Sequence, residues 1–292
     1  MKKILIYGAG SIGIYLGAML KADDNDVYLF GRKKLTDTGD KILIDGTEYD
    51  TPKKLFELPF DETFDYIFIS TKLYDLEEAF LSIKKHGLKC SILTSIQNGL
   101  VDNSKYTDII PHQPFLVISV FEGFNIKDNK LTTRSTALGW KVDDTAAGKT
   151  ISDLLLHAKI SCRTEKNLDV IRAEKTIMNC CLNALSAMEN MTFFELFRNN
   201  QTEEKISKLF DECYAVLSAY FSLDEKDVMK HRMYDVCSKM QHYSSLQQDL
   251  RSGRKTEIDF LNGYIIELGR KKNIPTPENQ EIVTRFKHVL TP

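Results

Sequence analysis

A glycine-rich turn near the start of the sequence has residue types and spacing that could bind the pyrophosphate of a dinucleotide. It follows the apolar run 4–7, precedes the apolar helical segment 14–20, and consists of Gly8, Ala9, Gly10, Ser11, Ile12 and Gly13. The three glycines allow a tight bend, a close approach of backbone to phosphate, and close packing of helix on strand, while the helix N-terminus supplies amide donors. A glycine pattern alone is weak evidence for a dinucleotide site. A strand before it, a helix after it and a second strand about 20 residues on favour a dinucleotide site over a simple turn.

The second apolar run ends in Gly31-Arg32-Lys33-Lys34, where a site that prefers NAD usually has an acidic residue. A guanidinium can bind a phosphate through two parallel hydrogen bonds and stack on adenine. The position therefore predicts that Arg32 binds the 2′-phosphate of NADP. The alternative is a solvated basic turn.

Two further polar turns follow predicted strands, Ser70-Thr71-Lys72 after the third and Gln97-Asn98-Gly99 after the fourth. Ligands of open α/β sheets bind at the carboxyl ends of the strands, so both turns are expected to face the binding crevice. Lys72 is a candidate for cofactor phosphate or ribose, and Asn98 for ribose and substrate. Each could instead be an ordinary capping or turn residue.

In the second half of the chain, Lys175, Asn179 and Asn183 recur at spacings that place them on one face of a helix. Their neighbours are mostly apolar, so this polar face must line a cavity or find partners in the interior. The alternatives are a satisfied core network and an ordinary surface stripe. Ser245 and Glu257 are further candidates, although sequence spacing does not show whether they meet Lys175.

The elements that must position these residues fall into two halves. Short apolar runs at 4–7, 27–30, 66–69, 92–93 and 115–118 alternate with helical stretches and predict a parallel sheet wrapped by helices. Asp45-Gly46 between two short β-type runs predicts an inserted antiparallel ribbon. We therefore predict an α/β Rossmann domain over 1–166, which binds NADP, and an all-α domain over 167–292.

Helical periodicity in the second half covers 168–189, 203–221 and 257–271. Gly253 is placed to end a helix in a left-handed conformation. Thr256, followed by Glu257 and Asp259, has the pattern of an N-cap with acids in the first turn of a helix.

The overall composition excludes several classes of protein. The 292 residues carry 39 Lys and Arg against 41 Asp and Glu, a net charge of −2, which argues against a nucleic-acid binder and gives no reason to expect a membrane surface. No apolar run approaches the length of a membrane span or a signal-peptide core. The six cysteines form no C-x-x-C pair, so we expect reduced thiols, no metal site and a cytoplasmic location.

These motifs together resemble the ketopantoate reductase family, which uses NADPH to reduce 2-dehydropantoate to pantoate on the way to coenzyme A. The resemblance spans nearly the whole chain. It is carried by the glycine turn, Thr71-Lys72, Gln97-Asn98-Gly99, Lys175 with Asn179 and Asn183, and the block 245–263, which contains Arg254-Lys255-Thr256-Glu257-Ile258-Asp259. The last block is the most specific, since a Rossmann fingerprint fits many dehydrogenase families.

The resemblance implies NADPH as cofactor and a small 2-oxo acid as substrate. It also implies that the C-terminal domain is of the 6-phosphogluconate dehydrogenase type, binds the substrate and carries catalysis, in the cleft between the two domains. It implies that Lys175 is the general acid and that Glu257 binds the substrate hydroxyl. Asn179 and Asn183 would position polar groups of the substrate, and Ser245 its carboxylate. Lys72 and Asn98 would face cofactor and substrate.

The chain departs from the family pattern at His242, at Leu246 and over Ala184-Leu185-Ser186. These changes lie beside the expected substrate pocket and bear on which 2-oxo acid is accepted. His242 is either a pocket residue or a histidine on a helix surface. Two alternatives to the pantoate reaction stay open: a paralogue that reduces another branched 2-oxo acid, and a nonenzymatic NADPH-binding sensor.

Clustered aromatic residues around Phe193, Phe194, Leu196 and Phe197 belong either to the core or to a dimer interface. We predict that this cluster belongs to the core, since clustered aromatic residues usually are buried. The sequence is compatible with a monomer or a homodimer.

Overall fold

The computed structural model describes residues 1–31, 39–107, 109–110 and 114–290. The chain forms two compact units. The first is Met1–Asn98 with Asp102–Leu168, and the second is Gly99–Val101 with Asp169–Pro292.

The first unit combines strands and helices in alternation. In chain order its elements are β1 (Lys3–Tyr7), α1 (Ser11–Ala22), β2 (Asp26–Phe30), β3 (Lys41–Ile44), β4 (Thr47–Asp50), β5 (Lys53–Leu55), β6 (Thr63–Ile69), the 3₁₀ turn Leu73–Asp75, α2 (Leu76–Lys85), β7 (Lys89–Ile96), α3 (Ser104–Thr107), β8 (Phe115–Val120), β9 (Gly123–Lys127), β10 (Lys130–Arg134), β11 (Trp140–Asp143), α4 (Ala146–His157) and β12 (Cys162–Glu165).

The main sheet has the strand order β12-β11-β8-β7-β6-β1-β2-β5. Its central strands are parallel, and β11 runs antiparallel to β8. Parallel strands buried on both faces read as continuous apolar runs, which is why β1, β6 and β8 were visible in the sequence. The Rossmann-type arrangement predicted for this half is confirmed.

The predicted ribbon is also present. β3 pairs antiparallel with β4, and the turn between them places Asp45 at φ 48° and Gly46 at φ 84°. The ribbon continues into a second sheet of order β4-β3-β10-β9, in which β3 runs parallel to β10. The sequence did not predict this sheet, because the pairing joins segments far apart in the chain.

The regular elements described in the second unit are all helices or 3₁₀ turns. Its elements are α5 (Leu168–Glu189), α6 (Phe193–Leu196), α7 (Asn200–Ser218), α8 (Lys226–Cys237), α9 (Ser245–Arg251), the 3₁₀ turn Ile258–Phe260, α10 (Asn262–Lys271) and α11 (Pro277–Leu290). One apolar cluster, to which α5, α7 and α10 contribute Ile177, Phe210 and Ile265, forms its core. Helix α5 is thus the predicted 168–189 helix, and Gly253 adopts the expected left-handed conformation, with φ 62°.

The prediction of one helix over 257–271 was wrong at its start. Residues 258–260 form a 3₁₀ turn, Leu261 lies outside helical geometry, and α10 begins at Asn262. Thr256 is therefore not the cap of a long helix. The physical reason is burial: Glu257 is 4% exposed and faces the interior, whereas an acid in the first turn of a surface helix would be solvated.

The aromatic cluster at 193–197 belongs mainly to the core, as predicted: Phe193 and Leu196 are buried, and Phe197 packs against the same apolar cluster. Thr192 and Glu195 form a capping box that fixes the start of α6. Among the described helices, none is long and apolar enough to cross a membrane.

Candidate active site

The glycine turn of the first unit has the geometry that a phosphate-binding turn requires. Gly8 has φ 126°; its N–H donates to the carbonyl of Phe30 at 2.9 Å, and its own carbonyl accepts from Ser70 Oγ at 2.8 Å. A Cβ on Gly13 would lie 1.9 Å from the Gly8 carbonyl oxygen, so only glycine lets α1 start this close to β1. The turn is thus held between the ends of β2 and β6.

Gly10 differs from its neighbours because a Cβ placed on it would meet no atom of the described residues within 4 Å. Gly10 is also the N-cap of α1, and it provides no side-chain hydrogen bond to the first amides of the helix. Ser11 and Ile12, the first residues of α1, are half-buried. This arrangement leaves space at the positive end of the helix and fits a dinucleotide pyrophosphate.

The remaining cofactor candidates of this unit follow strands of the same sheet. A Cβ on Gly31 would lie 2.4 Å from Ala9 Cβ, so the chain leaves β2 directly against the glycine turn. Arg32 itself lies outside the described residues. Lys72 is half-buried at the start of the 3₁₀ turn after β6, and Asn98 is half-buried after β7.

In the second unit, Lys175, Asn179 and Asn183 form a polar stripe along α5, and this stripe lies toward the interior. Asn179 and Asn183 are 7% and 6% exposed, and Lys175 is partly buried on the same face. Burial, aided by the positive charge of Arg172 and opposed by the carboxylate of Glu257, lowers the pKa of Lys175 to about 7. The amine can therefore both hold and release a proton near neutral pH.

The segment before α9 is tied to α5 beside this stripe. Ser244 Oγ donates to the carbonyl of Asn183 at 2.9 Å, and the Ser244 N–H donates to Ser186 Oγ at 3.2 Å. Ser244 also caps α9 by accepting from the Gln247 N–H. These bonds hold Ser245, the half-buried first residue of α9, near the Asn183 end of the stripe.

In the second unit, Lys175 thus lies within electrostatic range of the buried carboxylate of Glu257, and Ser244 anchors the start of α9 beside Asn183. Arg172 was not among the residues predicted from the sequence. It is 4% exposed and lies on the same face of α5 as Lys175 and Asn179. The signal was present, since Arg172 precedes Asn179 by two full helical turns.

His242 is not on a helix surface, contrary to one of the two interpretations of the sequence. It lies in the loop between α8 and α9, where its ring packs on Phe193 with centroids 4.9 Å apart. Its carbonyl accepts from the Phe193 N–H at 3.1 Å. These contacts fix His242, which precedes Ser245 by three residues, against Phe193.

All six cysteines are free thiols, and the described residues contain no cluster of three or more side chains arranged to hold a metal ion.

Comparison with protein families identifies the class to which this fold and site belong. The N-terminal model of ketopantoate reductase PanE/ApbA matches residues 4–140, and the C-terminal model of the same family matches residues 167–289. The chain belongs to the ketopantoate reductase family, a family of oxidoreductases.

Individual relatives are similar over the whole chain. A 2-dehydropantoate 2-reductase of Aquifex aeolicus is 28% identical, over 98% of this chain and 96% of its own. The crystal structure of a PanE/ApbA family ketopantoate reductase from Ralstonia eutropha has a TM-score of 0.86 at 24% identity, covering 99% and 98% of the two chains. D-mandelate dehydrogenase, in a ternary structure with NADH and anilino(oxo)acetate, has a TM-score of 0.85 at 20% identity, covering 99% and 100%. At these identities the two structures establish a shared fold.

Proposed function

We propose that this protein reduces 2-dehydropantoate (ketopantoate) to (R)-pantoate with NADPH, a step of pantothenate and coenzyme A biosynthesis. The observation that carries the proposal is the interior face of α5, where Lys175 shares one side of the helix with the buried Asn179 and Asn183 and lies within electrostatic range of the buried Glu257. In this setting the pKa of Lys175 is lowered to about 7. Perturbed titratable groups of this kind are typical of acid–base sites. Membership of the family supplies the reaction class.

The N-terminal domain, residues 1–166, would bind the cofactor. The amides of the turn Gly8, Gly10, Ser11, Ile12 and Gly13 would bind the pyrophosphate, and the open space at Gly10 supports this role. Arg32 would bind the 2′-phosphate, and Lys72 and Asn98 would contact the rest of the nucleotide. When bound, NADPH supplies the hydride that the keto carbon accepts.

The helical domain, residues 167–292, would bind the 2-oxo acid. Ser245 and its amide at the start of α9 would hold the carboxylate, and Asn98, Asn179 and Asn183 would donate to the oxygens of the substrate. Glu257 would accept a hydrogen bond from the hydroxyl group of the substrate. Asn179 and Asn183 hold their amide groups on one buried face of α5, which supports a role in orienting a polar ligand.

Lys175 would complete the reaction as general acid. As hydride reaches the keto carbon, negative charge grows on the carbonyl oxygen, and the ammonium Nζ stabilises this charge and then transfers its proton to the oxygen. The products are the neutral hydroxyl group and a neutral amine, which regains its proton from solvent. Glu257 keeps the ammonium oriented between turnovers.

The direct test follows the absorbance of NADPH with ketopantoate, and then repeats the assay with NADH and with a panel of branched and aromatic 2-oxo acids. The proposal expects turnover with ketopantoate and NADPH, and a higher kcat/KM for that pair than for any other. No consumption of NADPH with any keto acid would contradict it and favour the NADPH-binding sensor.

One observation favours a second candidate, a reductase of a different 2-oxo acid in the same family. His242 precedes Ser245 by three residues and packs on Phe193, and the chain departs from the family pattern at this position. A higher kcat/KM for a bulkier 2-oxo acid than for ketopantoate would select this candidate. Substitution of His242 by alanine should then change the ranking of substrates.

A further inference from the structure

Arg172 is the second cation of the α5 face, and its burial is unusual. Its ion-pair partner Asp169 lies one turn earlier in the same helix, with Nη1 to Oδ1 at 2.9 Å. The guanidinium is 4% exposed, whereas the carboxylate is 68% exposed. In an ordinary surface pair both side chains would extend into solvent. Here the arginine side chain is buried, while the aspartate carboxylate that it contacts stays largely exposed to solvent.

The inward direction of Arg172 is explained by a second contact. Its Nη2 donates to the carbonyl of Gly99 at 3.3 Å. Gly99 begins the three-residue segment Gly99–Val101, which belongs to the helical unit and contributes Leu100 to its core. The arginine therefore ties this segment to α5, immediately after Asn98 in the chain.

The charges that act on Lys175 come from two elements. Arg172, on the same helix, opposes the protonated amine, and Glu257, from the segment before the 3₁₀ turn Ile258–Phe260, favours it. The other acids of the first half of α5 are engaged elsewhere: Asp169 pairs with Arg172, and Glu174 pairs with Arg232 of α8.

Two cations on one interior face are costly for folding, and an apolar residue at position 172 would avoid the cost. The arrangement is useful if the face must control when Lys175 carries a proton. A like charge nearby disfavours the protonated amine, and general acids work best when they titrate close to the working pH.

We propose that Arg172 is a positioning residue of this site, which holds Gly99–Val101 against α5 and places a buried positive charge one helical turn from Lys175 on the same face. The catalytic consequence rests on the proposed function of Lys175 as general acid. The two physical roles of Arg172 do not, and they can be measured without turnover.

The first experiment titrates Lys175 directly by NMR in protein labelled with ¹³C at lysine Cε, with the signal assigned by its loss in Lys175→Met. Three variants are compared with the wild type. Arg172→Met removes the charge, Arg172→Lys keeps it, and Arg285→Met removes an equivalent charge from an exposed ion pair of α11. If Arg172→Met does not fold, Arg172→Gln replaces it.

We expect the wild-type midpoint near 7 to rise by about one pH unit in Arg172→Met and to stay within about 0.3 unit of wild type in the other two variants. An unmoved midpoint in Arg172→Met, or an equal rise in Arg172→Lys, would overturn the electrostatic role. A wild-type midpoint near that of a solvated lysine would do the same.

The second experiment measures hydrogen–deuterium exchange over residues 97–103 in the same proteins. Faster exchange in Arg172→Met than in Arg285→Met supports the tie to Gly99, and equal exchange overturns it. The pH dependence of kcat separates this inference from the proposed function. If the NMR midpoint moves as expected and kcat does not follow it, Lys175 is not the acid, while the role of Arg172 stands.

Discussion

Glu257 acts on Lys175 across the interior of the helical unit, and its carboxylate opposes the fall in the lysine pKa that burial and Arg172 cause. The two residues come from different elements, the end of the segment after α9 and the second turn of α5. The balance of burial, Arg172 and Glu257 leaves the pKa of Lys175 at about 7. A substitution of Arg172 or Glu257 should therefore change the charge of the amine at neutral pH.

Substitution of Glu257 by glutamine should move the pH profile of the reaction to lower pH. The forward reduction needs protonated Lys175, so its rate falls as pH rises through about 7, while the reverse oxidation rises over the same range. Without the carboxylate the pKa of Lys175 should drop by about one unit, and both profiles should move down with it. Profiles of kcat for the variant and for Glu267→Gln, an exposed acid of α10, provide the measurement. A shift upward, or the same shift in both, would contradict the assignment.

Substitution of Lys175 by methionine should stabilise the protein below about pH 7. A lysine whose pKa is lower in the folded than in the unfolded protein reduces the free energy of unfolding at any pH where the unfolded chain is protonated. This cost is full below about pH 7 and disappears as the pH rises toward the pKa of the lysine in the unfolded chain. We expect a gain on the order of 2 kcal/mol in the free energy of unfolding at about pH 6 and little gain at about pH 10. Thermal unfolding at both pH values tests this. A gain of equal size at the two values would point to packing instead of charge.

The two glycines of the cofactor turn should respond differently to alanine. Gly13→Ala forces a Cβ to 1.9 Å from the Gly8 carbonyl and should cost about 1–3 kcal/mol of stability. Gly10→Ala meets nothing nearby in the described residues, so the protein should keep its melting temperature while the Kd for NADPH rises about tenfold. Calorimetry and cofactor titration of both variants make the comparison. Normal NADPH binding by Gly10→Ala would exclude the turn as the pyrophosphate site.

Substitution of Arg32 by alanine should weaken NADPH binding about tenfold or more and leave NADH binding nearly unchanged, since only NADPH has the 2′-phosphate. Lys34→Ala removes the same charge from the same basic stretch and serves as the control. Equal losses for both cofactors would refute the selective role of Arg32.

Local patterns in the sequence predicted the elements whose contacts are local. The turn after β1 was readable because strand, glycines and helix are contiguous, and α5 was readable because its period continues without interruption over 22 residues. The same period also puts Arg172 on the face of Lys175, so this residue could have been found by extending the stripe one turn toward the N-terminus.

Features that depend on distant contacts were not predictable in this way. The pairing of β3 with β10 joins residues far apart in the sequence, and short strands such as β12 have too few residues for a recognisable pattern. The start of α10 was placed too early, because the pattern at Thr256 resembles a helix cap and gives no sign that Glu257 is buried.

The most direct test of the account is the turnover of ketopantoate and NADPH by Lys175→Met beside the wild type, with NADPH binding measured on both proteins. We expect the variant to bind NADPH as tightly as the wild type and to lose turnover by roughly 10² or more, the usual scale for loss of a positioned general acid. Turnover close to that of the wild type, with a pH profile that still falls near 7, would contradict the assignment of Lys175 as the proton donor.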